Sequence, residues 1–322
     1  MKNMRRRGAV IATTAAFALT LAACGGETAD DNGTTDPGTD TGTEDTDTED
    51  TDDTDTGAAD AEPITIGVFS GWEEGIAVSH LWQRILTDQG YEVEMETAEA
   101  GIVFTGLAQG DYDVNFDTWL PLTHGSYLEE YGDDIEELGM WLEEAPLTLA
   151  VNEDAPITSI DELAEHADEF DNRIVGIEAG AGLTAQTQDE AIPTYGLEDM
   201  EFLISSTPAM LAELQGAIDR GDNIVVTLWR PHWAYDAFPI RDLEDPEGAM
   251  GEADDIYTYG TAGFSEEYPE VAEWMANFTM THDELHSLEN IMFNELDGAD
   301  NDGAVDQWLE DNPDFVDNLI GG

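Results

Sequence analysis

From residue 64 onward, short apolar runs alternate with longer stretches in which apolar positions recur every three or four residues. The first pattern predicts strands and the second predicts helices. Ile64 to Phe69 reads as a strand, followed by a helix over about 76–89. Residues 91–97 read as a second strand, 102–108 as a short helix and 114–120 as a third strand. A second series begins near Ser159, where Ser159-Ile-Asp-Glu162 gives a weak helix-start signal. Strands follow over 173–178, 201–205 and 223–229 with helices between them, and the chain is helical from residue 266. Repeated strand–helix units predict parallel strands joined by right-handed crossovers. The expected architecture is two α/β lobes, residues 63–148 with 258–322 forming one and 149–257 the other. The chain would then cross twice between lobes, leaving a hinge and a cleft. Ligands of such folds sit outside the carboxyl ends of the strands, where loops meet helix N-termini.

The first 62 residues break this pattern. Lys2 to Arg7 are mostly basic and Gly8 to Ala23 are small and apolar, too short a run to span a bilayer comfortably. Residues 1–23 therefore read as a secretory signal. Residues 24–62 consist almost wholly of Thr, Asp, Glu, Gly and Ala, with no aromatic residue and no Ile, Leu or Val. Such a segment has too little apolar surface to offset the entropy of ordering, so an extended acidic tether is expected. A calcium-binding tail is the alternative, but the acids lack coordinating-loop spacing.

The 322 residues carry 74 acids against nine Lys and Arg, a formal charge of −65. From Pro63 on, 59 acids face only Arg84, Arg173, Arg220, Arg230 and Arg241, and there is no Lys. No basic surface exists to neutralise phosphates, which excludes nucleic acid as a partner. A surface this acidic repels itself in dilute buffer and is relieved at molar salt, where screening shortens to roughly 3 Å, so it reads as adapted to a saline exterior. The single Cys excludes an intramolecular disulfide and a Cys-based metal cluster.

The candidate chemistry lies at four strand ends. They run into Ser70-Gly-Trp72-Glu-Glu-Gly75, Trp119-Leu-Pro-Leu-Thr-His124, Ala179-Gly-Ala-Gly182-Leu183 and Trp229-Arg-Pro-His-Trp233. Three loops present a Trp; the fourth presents small residues opening a helix. A quaternary ammonium has no N–H to donate, so indole faces are its natural partners, at roughly 0.5–2 kcal/mol each. Free amides at a helix start suit an anion. Together these describe a zwitterionic betaine, with His124 adding a hydrogen bond, or a charge if protonated.

The same segments, with Ser206-Thr-Pro-Ala-Met-Leu-Ala-Glu-Leu214, resemble the glycine betaine/proline betaine substrate-binding proteins of ABC importers over about 64–320. The resemblance implies a two-lobed fold of the type II periplasmic-binding-protein kind with the ligand in the cleft. It implies that Trp72, Trp119 and Trp229 cage the ammonium, that the amides of Gly182 and Leu183 hold the carboxylate, and that His124 assists them. It implies no catalysis and no cofactor, and as partners an ABC permease with its ATPase, serving osmoprotection. Leu228 stands where the family often has Gly, a departure expected to tighten the wall at Trp229. Leu21-Ala-Ala-Cys24 resembles a bacterial lipobox, which implies that Cys24 carries lipid and anchors the protein at the outer face of the cytoplasmic membrane.

Other readings weigh less. Choline, carnitine or ectoine on the same fold is the nearest alternative, although choline has no carboxylate for the amides. His282-Asp-Glu-Leu-His286 has the spacing of a zinc hydrolase motif but places Asp283 where Glu is needed, and Thr281 with Glu284 makes a capping box instead. Neither a nucleophile elbow nor a phosphate-binding loop occurs. Residues 297–306 fail the calcium-loop pattern at Ala304. Trp82, Trp141, Trp274 and Trp308 are expected in the core, and His232 and Trp233 behind the site.

Overall fold

The structure is a computed structural model that describes residues 62–321. The signal segment, Cys24 and nearly all of the acidic tether lie outside the described residues. Ten strands form two five-stranded sheets with one shared plan. The first contains β1 (Ile64–Phe69), β2 (Val93–Ala98), β3 (Val114–Leu120), β4 (Ile135–Ala145) and β10 (Asp254–Thr261), in the order β2-β1-β3-β10-β4. The second contains β5 (Leu147–Asn152), β6 (Arg173–Val175), β7 (Glu201–Leu203), β8 (Val225–Trp229) and β9 (Ile240–Asp242), in the order β7-β6-β8-β5-β9.

In each sheet the first three strands in spatial order are parallel, the fourth runs against them, and the fifth pairs antiparallel with the fourth. β1 pairs parallel with β2 and β3, whereas β10 runs antiparallel to β3 and β4. β6 pairs parallel with β7 and β8, whereas β5 runs antiparallel to β8 and β9. The expectation of parallel strands throughout therefore holds for half of each sheet and is corrected for the rest. β4, β5, β9 and β10 escape the strand–helix alternation because no helix links β4 to β5 or β9 to β10. β4 and β10 also mix acids with apolar residues, and β4 is partly exposed. β5, by contrast, is an almost wholly buried run between Pro146 and Pro156.

The chain leaves the first sheet after β4 and returns to it with β10. Helix α1 (Glu73–Asp88) packs on β1 and β3, and α2 (Ala100–Gln109) packs on β1, β3 and β10. β3 is buried along nearly its whole length, as a strand covered on both faces must be. The C-terminal helices His282–Glu289 and Asn301–Asp311 pack against α1 and complete this lobe. Trp82, Trp141 and Trp308 are sealed in its interior, with Trp82 stacked on Phe116 at 5.3 Å. Trp274 is only partly buried and packs edge-on against Tyr91.

All five arginines of the described chain are engaged locally. Arg84, Arg173, Arg220 and Arg230 lie against carboxylates, and Arg241 donates to the carbonyls of Glu153, Ala155 and Ile157. The exposed acids are left largely without counter-charge, which makes salt screening a direct term in this protein's stability. No helix among the described residues is long and apolar enough to cross a membrane.

Candidate functional site

Parallel strands put their carboxyl ends on one edge of a sheet, and here the loops after β1 and β3 meet the loops after β6 and β8. Trp72 precedes the first turn of α1 in extended conformation. Trp119 stands near the end of β3, and Trp229 is the last residue of β8. These three indoles line one small cavity together with Glu74, Leu147, Ile177, Ala181 and Leu183. The walls leave about 20 Å³, room for a water molecule but not for a trimethylammonium group.

Each cage indole has its N–H committed to a carboxylate. Trp119 Nε1 donates to Asp117 Oδ1 at 2.7 Å, Trp72 Nε1 to Glu178 Oε1 at 2.8 Å, and Trp229 Nε1 to Glu74 Oε2 at 2.9 Å. The first bond follows from strand geometry, because residues two apart share a face. With the N–H edge bound, what each ring offers a ligand is its π face. Gly75 is part of this local design, since a Cβ there would collide with the Asp117 side chain.

Behind the cage lies a set of buried acids: Glu73, Glu74, Asp117 and Glu289. Burial pushes Glu74, Asp117 and Glu289 well above the usual carboxylate range, and the acids repel one another further at Glu74 and Glu289. The first turn of α1, which carries Glu73 and Glu74, offers these acids a favourable helix end. His232 Nε2 lies 3.3 Å from Glu73 Oε2, within ion-pair range but out of hydrogen-bond alignment. Trp233 stacks behind His232 at 5.8 Å and stays clear of the cavity.

His124 is fully buried, and its place differs from a simple wall position. Its ring stacks on Trp72 at 5.5 Å and is flanked by Phe69, Phe104 and Tyr127, so it stands behind Trp72 rather than on the cavity surface. Nδ1 accepts the Trp119 backbone N–H at 2.9 Å, which assigns the ring proton to Nε2. Nε2 has no partner. Burial pushes the His124 pKa down to about 3, so the ring is a neutral N–H donor and the charged form is set aside.

Gly182 and Leu183 open the helix Gly182–Gln186, and among the described residues their amides meet no acceptor. These are the ordinary orphan donors of a helix start. Leu183 reaches the cavity, whereas Gly182 lies against the backbone of Thr123, where any Cβ would collide with the carbonyl oxygen. Leu228 does not line the cavity: successive strand residues face opposite sides, and Leu228 packs into the core, so it does not tighten the wall at Trp229. A larger cavity of about 220 Å³ lies beside Trp72 and takes in Phe69, Glu99, Glu178 and Ser206. It has one Trp and two carboxylates, the wrong chemistry for a cage that must also hold an anion.

His282 and His286 point to separate partners, the Glu143 carbonyl at 2.7 Å and Asp236 at 2.5 Å. Thr281 and Glu284 form the reciprocal bonds of a capping box. Sequence reasoning missed Glu74, Asp117 and Glu178. Asp117 was within reach, two residues from Trp119 on one strand; Glu178 was not, because its partner lies 106 residues away.

The family model for the substrate-binding domain of ABC-type glycine betaine transport systems matches residues 62–311. The glycine betaine/carnitine transport binding protein of Listeria monocytogenes is 37% identical over 145 residues, 44% of this chain and 47% of that protein. The chain thus matches about half the length of that relative. The lactococcal binding protein OpuAC, in its closed form complexed with glycine betaine, superposes with a TM-score of 0.74 at 26% identity, covering 81% of this chain and all of that one. An ABC-transporter choline-binding protein in complex with choline superposes at 0.72 with 28% identity, covering 80% and 92%. The architecture is the two-lobed type II periplasmic-binding-protein fold.

Proposed function

The chain belongs to the family of substrate-binding domains of ABC-type glycine betaine transport systems, and from that premise we propose that its cleft captures glycine betaine, or a related betaine, for an ABC importer. The halves of the clamp follow the two sheets, residues 63–145 with 254–321 as one and 147–242 as the other, a few residues away from the boundaries expected at 148 and 258. The ammonium sits among the faces of Trp72, Trp119 and Trp229. The carboxylate takes the amides of Gly182 and Leu183, while His124, expected to assist them, backs Trp72 from behind and steadies that wall.

The observation that carries this reading is the convergence of three indoles with bound edges on one cavity. The helix start adds direction. The free amides at the helix start favour an anion there, so a zwitterion enters with its carboxylate toward Gly182 and its ammonium among the indoles. A choline-binding protein has a similar fold, and choline satisfies the cage but leaves the amides unused. In the wider reading the protein is a transport component without catalytic chemistry, with a permease and its ATPase as partners. It works outside the cytoplasm, tethered by lipid on Cys24, in an osmoprotective role in salt-rich surroundings.

Titration calorimetry at high salt tests the reading. Glycine betaine is expected to bind more tightly than choline. Trp119→Ala and Trp229→Ala are expected to weaken it by well over tenfold, while Trp233→Ala changes it less than threefold, in line with the strength of cation–π contacts. Equal affinity in wild type and both cage variants would refute the cage.

A further inference from the structure

The two lobes exchange bonds through the cage itself. Trp72 belongs to the first lobe and donates to Glu178 at the end of β6 in the second. Trp229 belongs to the second lobe and donates to Glu74 on α1 in the first. The third indole, Trp119, donates to Asp117 on its own strand. Glu178 is held in turn from behind: the Thr207 N–H donates to Oε2 at 3.0 Å and its hydroxyl to Oε2 at 3.1 Å, at the start of the helix Thr207–Arg220.

We propose that Glu178 and Glu74 are positioning residues that form a reciprocal latch, each fixing a cage indole of the opposite lobe, so that ring orientation and lobe closure are one event. The physical basis is simple. A free indole edge in the open cleft bonds to water, and the ring rotates about its side-chain torsions. When the lobes meet, two carboxylates replace that water and hold two rings in place. Trp119 needs no such event, because its carboxylate travels with it. The latch therefore divides the cage into one permanently oriented wall and two walls set by closure. Other cross-cleft contacts do not have this property: the Tyr127 hydroxyl to Gly180 carbonyl bond and the His286–Asp236 pair are exposed and hold no cage ring, and the buried Glu73–His232 approach engages no indole N–H.

This inference rests on the proposed betaine cage, but its primary test needs no ligand. The indole N–H resonances of the ¹⁵N-Trp-labelled protein are followed for solvent exchange in wild type, Glu178→Ala and Glu178→Gln. Loss of the Glu178 acceptor is expected to speed exchange at Trp72 and also, through loosened closure, at Trp229 across the cleft, with Trp119 unchanged. Gln, which keeps an acceptor oxygen, is expected to restore most of the protection. Trp72→Phe removes the donor instead of the acceptor and is expected to give the same response at Trp229, which guards against a local defect at Thr207. In stopped-flow measurements, Glu178→Ala is expected to raise the betaine dissociation rate about tenfold, the size expected for a lost hydrogen bond to a charged group. A response confined to Trp72, with Trp229 exchange unchanged in both variants, overturns the latch. A wild-type protein that binds neither betaine nor choline overturns the cage reading while leaving the exchange result to judge the latch.

Discussion

The middle strands of the two sheets end alike and meet different surroundings. β3 closes with Trp119 and Leu120 before a cis proline, and β8 closes with Trp229 before Arg230 and a cis proline. A buried histidine follows each, and each uses Nδ1 to accept a backbone N–H, from Trp119 at 2.9 Å and from Ala234 at 3.0 Å. Beyond that point the two diverge. His124 is enclosed by Phe69, Phe104, Trp72 and Tyr127, and nothing stabilises a charge on it. His232 faces Glu73 across the lobe boundary, in front of the other buried acids. The same local motif gives a ring sealed among aromatic side chains in one lobe and a ring set against a buried carboxylate in the other. The opposing element decides the role, not the strand end.

The largest consequence falls on His124. Its folded pKa of about 3 lies below the ordinary histidine value of 6.5, so the native protein refuses a proton that the unfolded chain accepts. Its stabilising contribution is complete above pH 6.5 and is lost as pH falls from there to about 3. Between pH 7 and pH 4 this amounts to about 3 kcal/mol. Urea unfolding at the two pH values is expected to show wild type losing that much more stability than His124→Asn, which keeps an acceptor for the Trp119 N–H. Parallel losses would mean that the ring is not sealed as described.

A smaller effect is expected at the His232 end. Burial raises Glu74 and Glu289 above their unfolded values, and the Glu73 charge adds to both. Raised acids hold protons in the folded state that the unfolded chain has released, so stability falls as pH rises from the ordinary carboxylate value through the raised ones. Glu73→Gln removes one repelling charge and is expected to make that fall shallower when urea unfolding is followed upward in pH from the ordinary carboxylate value. A steeper fall would show that the Glu73–His232 pair outweighs the repulsion.

The asymmetry also explains what could be read from the chain alone. The parallel half of each sheet was legible because short apolar runs and helical periodicity alternate there, as in Ile64 to Gln109. β4 and β10 were not, since their partners lie far along the chain and their acids blur the period. The convergence of Trp72, Trp119 and Trp229 was legible because strand ends of parallel units share an edge. The placement of His124 behind Trp72, and the carboxylates that bind the indole edges, depend on tertiary neighbours. Of those only Asp117, two residues from Trp119 on one strand, left a trace in the sequence.

The central claim is tested most directly by a crystal structure of the protein saturated with glycine betaine. The account predicts the methylated nitrogen within about 6 Å of the ring centroids of Trp72, Trp119 and Trp229, with the carboxylate at the amides of Gly182 and Leu183. Density that places the nitrogen outside those three rings, or that shows the rings dispersed in the bound state, would contradict it.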